Sequence, residues 1–106
     1  MNINNLNIHD SLLRTVEEVT SSDTLIFNID YPEDWENNKF IKAQIVFKNF
    51  INYEIHEGPF AGNPTILEIN EIGSREDHKV TRKQIKIETN AGYRILYCEK
   101  VKLLKI

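Results

Sequence analysis

The sequence contains a single cysteine, Cys98, among its 106 residues. One cysteine cannot form an internal disulfide, which excludes the disulfide scaffold of small secreted proteins. The chain also has no apolar run near the ~20 residues that cross a bilayer. Its N-terminus, M-N-I-N-N-L-N-I-H-D, lacks the basic start and apolar stretch of a signal peptide. We therefore expect a cytoplasmic protein without a membrane segment.

Motifs that carry metal or catalytic chemistry are also missing. The three histidines His9, His56 and His78 do not share ligand spacing, and the sequence contains no C-x-x-C, H-E-x-x-H or calcium-loop pattern. Cys98 falls in a predicted strand, where a lone cysteine is typically a small buried hydrophobe. The sequence therefore predicts no metal, no cofactor and no catalytic residue, and favours a non-enzymatic protein.

Charge is present but unevenly distributed along the chain. The net charge is −3; residues 1–78 are acidic and residues 79–106 are basic. One interpretation is that acidic and basic strands pair and neutralise one another across a sheet. The other is an acidic face that steers a basic partner. The acidic total argues against nucleic-acid binding, which depends on neutralising phosphates.

The dominant pattern is alternation with a period of two, typical of half-buried strands. Leu25, Phe27, Ile29 and Tyr31 alternate with polar residues. The same pattern covers 40–56, where Lys48-Asn49 predicts a bend. Further strands are predicted at 65–72, 83–89, 93–98 and 101–106. A charged loop is predicted at 73–79, and a three-residue loop ending at Gly92 in a left-handed conformation closes the last hairpin.

The N-terminal segment D-S-L-L-R-T-V-E-E-V allows a short helix or a strand, and its β-branched residues favour a turn at 9–11 and a strand around 13–19. The prediction is one mainly β domain spanning 1–106, with about seven mostly antiparallel strands and little helix. A length of 106 residues suits a single compact sandwich or small open barrel.

An acidic stretch, D-Y-P-E-D-W-E at 30–36, falls in the predicted loop between two of these strands. One interpretation is a solvated turn whose tryptophan folds onto the core. The functional interpretation is a partner-binding site with two aromatic anchors inside a negative rim. Its residues are Asp30, Tyr31, Glu33, Asp34, Trp35 and Glu36.

The segment N-I-H-D-S-L-L at 7–13 resembles the N-terminal LHDS-like motif of a group of small bacterial β-proteins, some of them proposed as immunity proteins of polymorphic toxin systems. Ile8 stands where that motif most often has Leu. The resemblance implies a β-rich fold and a non-enzymatic binding role, and no catalytic residues carry over. The leading hypothesis is thus a binding module for a basic protein partner, such as a toxin that it neutralises.

Two alternatives stay open at this stage. A small-molecule binder or enzyme would use the mouth of a β-barrel near His9 and Asp10. A structural protein would self-associate through an exposed strand edge. The sequence does not decide the oligomeric state.

Overall fold

The computed structural model describes residues 8–34 and 36–106. This part of the chain contains eight strands and a single 3-10 turn, Thr20–Ser22, with no α-helix. The strands are β1 (Ser11–Val19), β2 (Thr24–Asp34), β3 (Lys39–Lys48), β4 (Ile51–Glu57), β5 (Thr65–Asp77), β6 (Val80–Thr89), β7 (Gly92–Cys98) and β8 (Lys100–Lys105). The predicted mainly β class is confirmed.

All eight strands belong to one open antiparallel sheet, in the order β4-β7-β6-β5-β1-β2-β3-β8. The sheet has two four-stranded halves, which meet where β1 pairs with β5 through Ser11↔Ile66 and Leu12↔Thr65. Among the described residues, the ladder between the halves is only these two residue pairs long, so the sheet can fold over at this seam. The edges are β4 and β8.

One continuous core fills the space between the two halves. Phe27 of β2 lies 5.0 Å from Phe47 of β3 and 6.1 Å from Tyr53 of β4, measured between ring centroids. Because β2 and β4 belong to opposite halves, these aromatic contacts cross the core. The predicted inward positions Leu25, Phe27, Ile29, Ile45, Phe47, Ile85 and Ile87 are all buried, as the alternation requires.

The structure has one strand more than the seven predicted, because the predicted segment 40–56 is divided into β3 and β4. Asn49 has a positive φ of 53°, and the chain turns there into β4. A second positive φ at Asn52 coincides with a shift of register between Ile51 and Glu54. Ile55, expected on the inner face, is 54% exposed on this edge strand.

The N-terminal prediction is also confirmed, since His9-Asp10 forms a turn and β1 follows at Ser11. Asp10 has a φ of 70°, a left-handed value that Asp tolerates better than most residues. Ile8 is 2% exposed. The segment 8–13 is thereby anchored to the core at both ends, by Ile8 and by Leu13.

Two predicted loops are wrong in their extent. The charged segment 73–79 belongs mostly to β5, which pairs with β6 up to Asp77↔Val80 around a two-residue turn at His78-Lys79. Both turn residues have positive φ, as the tight hairpin turn requires. Because both faces of this hairpin end are exposed, its sequence lacks the apolar alternation that would have identified a strand.

The turn before Gly92 is shorter than predicted. Thr89 pairs with Gly92, which leaves only Asn90 and Ala91 in the loop. Gly92 has a φ of 146° rather than the left-handed helical value expected. Its missing side chain is still required, because a Cβ there would lie 2.2 Å from the His56 backbone oxygen.

Candidate functional site

Among the described residues, the β2–β3 hairpin continues past the last pairings that β2 and β3 make with β1 and β8. β1 pairs with β2 only as far as Leu12↔Asp30, and β8 pairs with β3 only as far as Ala43↔Lys105. Beyond these points, within the described part of the chain, Tyr31–Asp34 and Lys39–Ile41 pair with each other alone. We call residues 31–34 and 36–41 the hairpin arm. β2 thus continues three residues past the predicted strand end at Tyr31.

Pro32 is accommodated in this strand although it has no N–H to donate. It pairs with Phe40, and β2 has no second neighbour at this position among the described residues. A proline fits such a one-sided strand because its missing donor need not serve a ladder.

Two residues of the proposed partner site, Asp30 and Tyr31, already make contacts within the fold. Tyr31 is 8% exposed in the core, and the Lys105 Nζ lies 5.2 Å from its ring centroid. Asp30 lies in the strand and pairs with Arg14, whose Nε and Nη2 reach its Oδ2 at 2.7 and 2.5 Å. Tyr31 therefore serves the core rather than a partner surface, and the charge of Asp30 is already compensated.

The remaining carboxylates lie at the tip of the arm. Glu33 pairs with Lys39 at 3.3 Å, and Asp34 accepts hydrogen bonds from the Asn37 side chain at 2.6 Å and from its backbone N–H at 3.3 Å. Glu36 is exposed. Trp35 lies outside the described residues. The tip therefore displays three carboxylates against one nearby lysine.

Sequence analysis missed the exposed aromatic residue of this arm. Phe40 is 45% exposed, and it lies on the outer face because the core residues of β3 occupy odd positions. The inward positions of the segment 40–56 are odd-numbered, so the even number of Phe40 was the sequence signal that places it on the outer face. An exposed aromatic near a hairpin turn is the kind of side chain that anchors protein interfaces.

A shallow cleft continues from the arm along the same outer face. It encloses about 500 Å3 and is lined by Arg14, Thr15, Glu17, Asn28, Asp30, Lys42 and Ile106, with parts of Ile29 and Ala43. Asn28 donates to Thr15 and Glu17 at 3.0 Å each, and Gln44 donates to Asn28 at 2.9 Å. These bonds hold the polar side chains in fixed positions across three strands.

The turn at His9 and Asp10 brings those two side chains together. His9 Nε2 lies 3.4 Å from Asp10 Oδ1, and His9 Nδ1 lies 2.6 Å from the Leu67 backbone oxygen. The His9 side chain is 64% exposed. Neither residue lines the cleft beside the arm. The contact of His9 with Leu67 attaches the turn to β5.

Cys98 is fully buried, and burial raises the pKa of its thiol to about 12. A thiol with this pKa is protonated at neutral pH and is a poor nucleophile.

Among residues 8–34 and 36–106, no three His, Cys, Asp or Glu side chains gather as a metal site would require. In the same residues no helix has the length and apolar character needed to cross a bilayer.

The most enclosed ionic cluster joins β4 to β7. Arg94 donates to both carboxylate oxygens of Glu57 at 2.9 and 2.8 Å and to the Tyr53 hydroxyl at 3.0 Å. Thr89 donates to Glu57 at 3.1 Å. The bonds from Arg94 lower the pKa of Glu57, whereas burial raises the pKa of Tyr53. Because every member is already bonded within the cluster, it is suited to holding β4 on the sheet.

No known protein-family model matches this chain. A comparison with curated proteins also finds no match.

Proposed function

We propose that this chain is a non-enzymatic binding module that engages a protein partner through the hairpin arm and the outer face beside it. The observation that carries the proposal is the end of the hairpin arm, which displays the exposed Phe40 together with Glu33, Asp34 and Glu36. An apolar anchor surrounded by charges of one sign fits a partner whose contact surface is basic.

The resemblance of N-I-H-D-S-L-L to small bacterial β-proteins supports a more specific form of the proposal. In that form the chain is an immunity-type protein that neutralises a basic toxin. A cytoplasmic setting is part of the proposal and rests on the single cysteine, Cys98.

The alternative, a small-molecule binder or enzyme near His9 and Asp10, has less support. The sheet is open, and both residues belong to an exposed turn whose polar atoms bond to each other and to the Leu67 backbone. The cleft of about 500 Å3 beside the arm has the size of a ligand site. Its side chains, however, are largely bonded to one another.

The test uses a photo-crosslinking amino acid at position 40, applied to lysate of the source cells and followed by mass spectrometry. The matched control carries the same amino acid at position 72, because Ile72 is 50% exposed on β5, away from the arm. We expect a crosslink to a basic protein from position 40 and none from position 72. Equal crosslinking from both positions would contradict the proposal.

A second comparison tests the contribution of charge. Glu33→Gln, Asp34→Asn and Glu36→Gln together remove the charges of the tip, while Glu18→Gln, Glu68→Gln and Glu76→Gln remove the same number from exposed sites elsewhere. We expect only the first variant to bind the captured partner about tenfold more weakly, mainly through slower association. If both variants bound like the wild type, the acidic tip would have no role in recognition.

A further inference from the structure

A second cleft gathers lysines at the opposite end of β3 from the hairpin arm. It encloses about 600 Å3 and is lined by Lys48, Lys83, Glu99, Lys100, Val101 and Lys102. We call it the lysine cleft. It lies where the chain leaves β7 in one half of the sheet and enters β8 in the other. Four lysines from three strands therefore line one cleft beside a single carboxylate.

Strand register and two sets of hydrogen bonds fix this arrangement. Lys48 and Lys100 are direct cross-strand partners in the β3–β8 ladder, and the Glu99 N–H donates to the Lys48 backbone oxygen at 3.0 Å. Arg82 donates to the Asn49 backbone oxygen at 3.0 Å and to its side chain at 3.2 Å. The Arg82 contacts hold the turn after Lys48 against β6, the strand that carries Lys83.

Among the described residues, only one of the four lysines in the lysine cleft has a salt-bridge partner. Lys83 Nζ lies 3.5 Å from Glu71 Oε1. In the part of the chain that the structure describes, Lys48, Lys100 and Lys102 make no salt bridge. Like charges directly opposite each other in a ladder are destabilising. A side-chain hydrogen bond with Lys48 and the charge of Lys48 lower the pKa of Lys102.

Protection of a sheet edge does not explain the cluster. Lysines on an edge strand discourage pairing with other chains, and β8 is such an edge. Lys48 and Lys83, however, come from β3 and β6, which have neighbours on both sides. Their convergence with Lys100 and Lys102 concentrates charge in a concave site, where a bound anion would gain most from it.

We propose that the lysine cleft is a binding site for a small anion carrying two or more phosphate groups. Lysine ammonium groups bind phosphate as point charges, and the cleft volume lies in the range of small-ligand sites. No aromatic side chain lines the cleft, so it offers no stacking surface for a base. Recognition would therefore be directed at the phosphates, and the net charge of −3 disfavours a long nucleic acid.

The test is a titration of the full chain with inorganic tripolyphosphate. Binding is measured by isothermal titration calorimetry and located by changes in amide chemical shifts. The test variant is Lys48→Gln with Lys100→Gln. The control is Lys42→Gln with Lys105→Gln, which makes the same change of charge on the same two strands, roughly 15–20 Å away along the strands at their usual rise per residue. Thermal unfolding of both variants without anion shows whether each remains folded.

We expect saturable one-to-one binding by the wild type, with shifts concentrated at Lys48 and at residues 99–102. Removing two of the four lysine charges should weaken binding by roughly tenfold or more, while the control binds like the wild type. Shifts spread equally over Lys42 and Lys105, or equal losses in the two variants, would overturn the site. Binding of a 20-nucleotide single strand without binding of tripolyphosphate would also overturn it, in favour of nucleic acid.

Discussion

Glu57 and Arg94 form the least exposed ion pair among those described, with each side chain 12% exposed. Their contact is bidentate, and Tyr53 and Thr89 complete it. Arg94 also lies over the Phe27 ring, 5.9 Å from its centroid. The pair therefore links the edge strand β4 to β7 and covers the core. Removing either partner would leave the other as an uncompensated charge in a poorly hydrated site, which would destabilise the fold.

Glu57→Gln should lower the free energy of unfolding by about 2 kcal/mol, because Arg94 loses its counter-charge in a poorly hydrated site. Chemical denaturation at neutral pH measures the change. Glu54→Gln is the matched control, since the Glu54 side chain is 60% exposed and pairs only with His56 at 3.3 Å. The control should change stability by less than about 0.5 kcal/mol. Equal effects of the two substitutions would contradict this account.

The same pair predicts a dependence on pH. The pKa of Glu57 in the folded protein lies below its ordinary value of 4.5, so its contribution is complete above that pH and is lost as the pH falls through the lowered value. The difference in stability between wild type and Glu57→Gln should therefore narrow between about pH 7 and about pH 3. A constant difference over this range would show that the carboxylate charge is not its source.

At the scale of elements, hairpin turns set the register of the sheet, and Gly92 is the most constrained of their residues. It begins β7 opposite Thr89, at a φ of 146° and against the backbone of β4. β4 can approach β7 at Glu57↔Gly92 only because there is no side chain between them. Gly92 is thus required both by the β6–β7 turn and by the close approach of the edge strand β4 to β7.

Gly92→Ala should destabilise the protein by about 2–4 kcal/mol, since the added methyl group meets backbone atoms and the φ is unfavourable for alanine. Gly58→Ala is the control, because nothing lies within 4 Å of a Cβ there and its φ is not in the positive range. The control should be neutral or slightly stabilising. Thermal unfolding of the two variants measures the difference, and similar melting temperatures would refute the role assigned to Gly92.

For the molecule as a whole, the folded-over sheet places opposite charges at opposite ends. Lys39, near the tip of the hairpin arm, and Lys48 of the lysine cleft are nine residues apart along β3, roughly 30 Å at the usual rise per residue. The molecule is elongated, with principal extents of 46, 30 and 26 Å. Two ligands of opposite charge could therefore bind to these ends without contact between them.

The shared core predicts that both halves of the sheet unfold together. Phe27→Leu alters a ring that contacts Phe47 in its own half and Tyr53 in the other, and it should cost about 1–3 kcal/mol. Hydrogen exchange under conditions of global opening should show equal loss of protection in β2 and in β6. A loss confined to β1–β3 would mean that the halves are separate cooperative units.

Ile55→Ala is the control for this prediction, because that side chain is 54% exposed. It should leave exchange in β2 and β6 nearly unchanged.

Much of the fold was predictable, because alternation of apolar residues is a local property of each strand. Leu25, Phe27 and Ile29 identify an inner face without knowledge of their neighbours, and Lys48-Asn49 identifies a break. The segment 73–79 could not be identified as a strand, since neither face of that hairpin end is buried and no alternation results. The candidate site was predictable only in part: the acidic tip follows from the sequence and Phe40 could have been identified from its even position, whereas the pairing of Arg14 with Asp30 could not.

What the sequence determined by itself was the mainly β class, the inner faces of the central strands, the N-terminal turn and the acidity of the β2–β3 hairpin. These follow from side-chain period and turn chemistry, which act over a few residues. Only the tertiary structure decided which strands are neighbours, and so which charges meet. It paired Asp30 with Arg14 and set Lys48 opposite Lys100, because pairing between distant strands depends on how the whole sheet folds over its core.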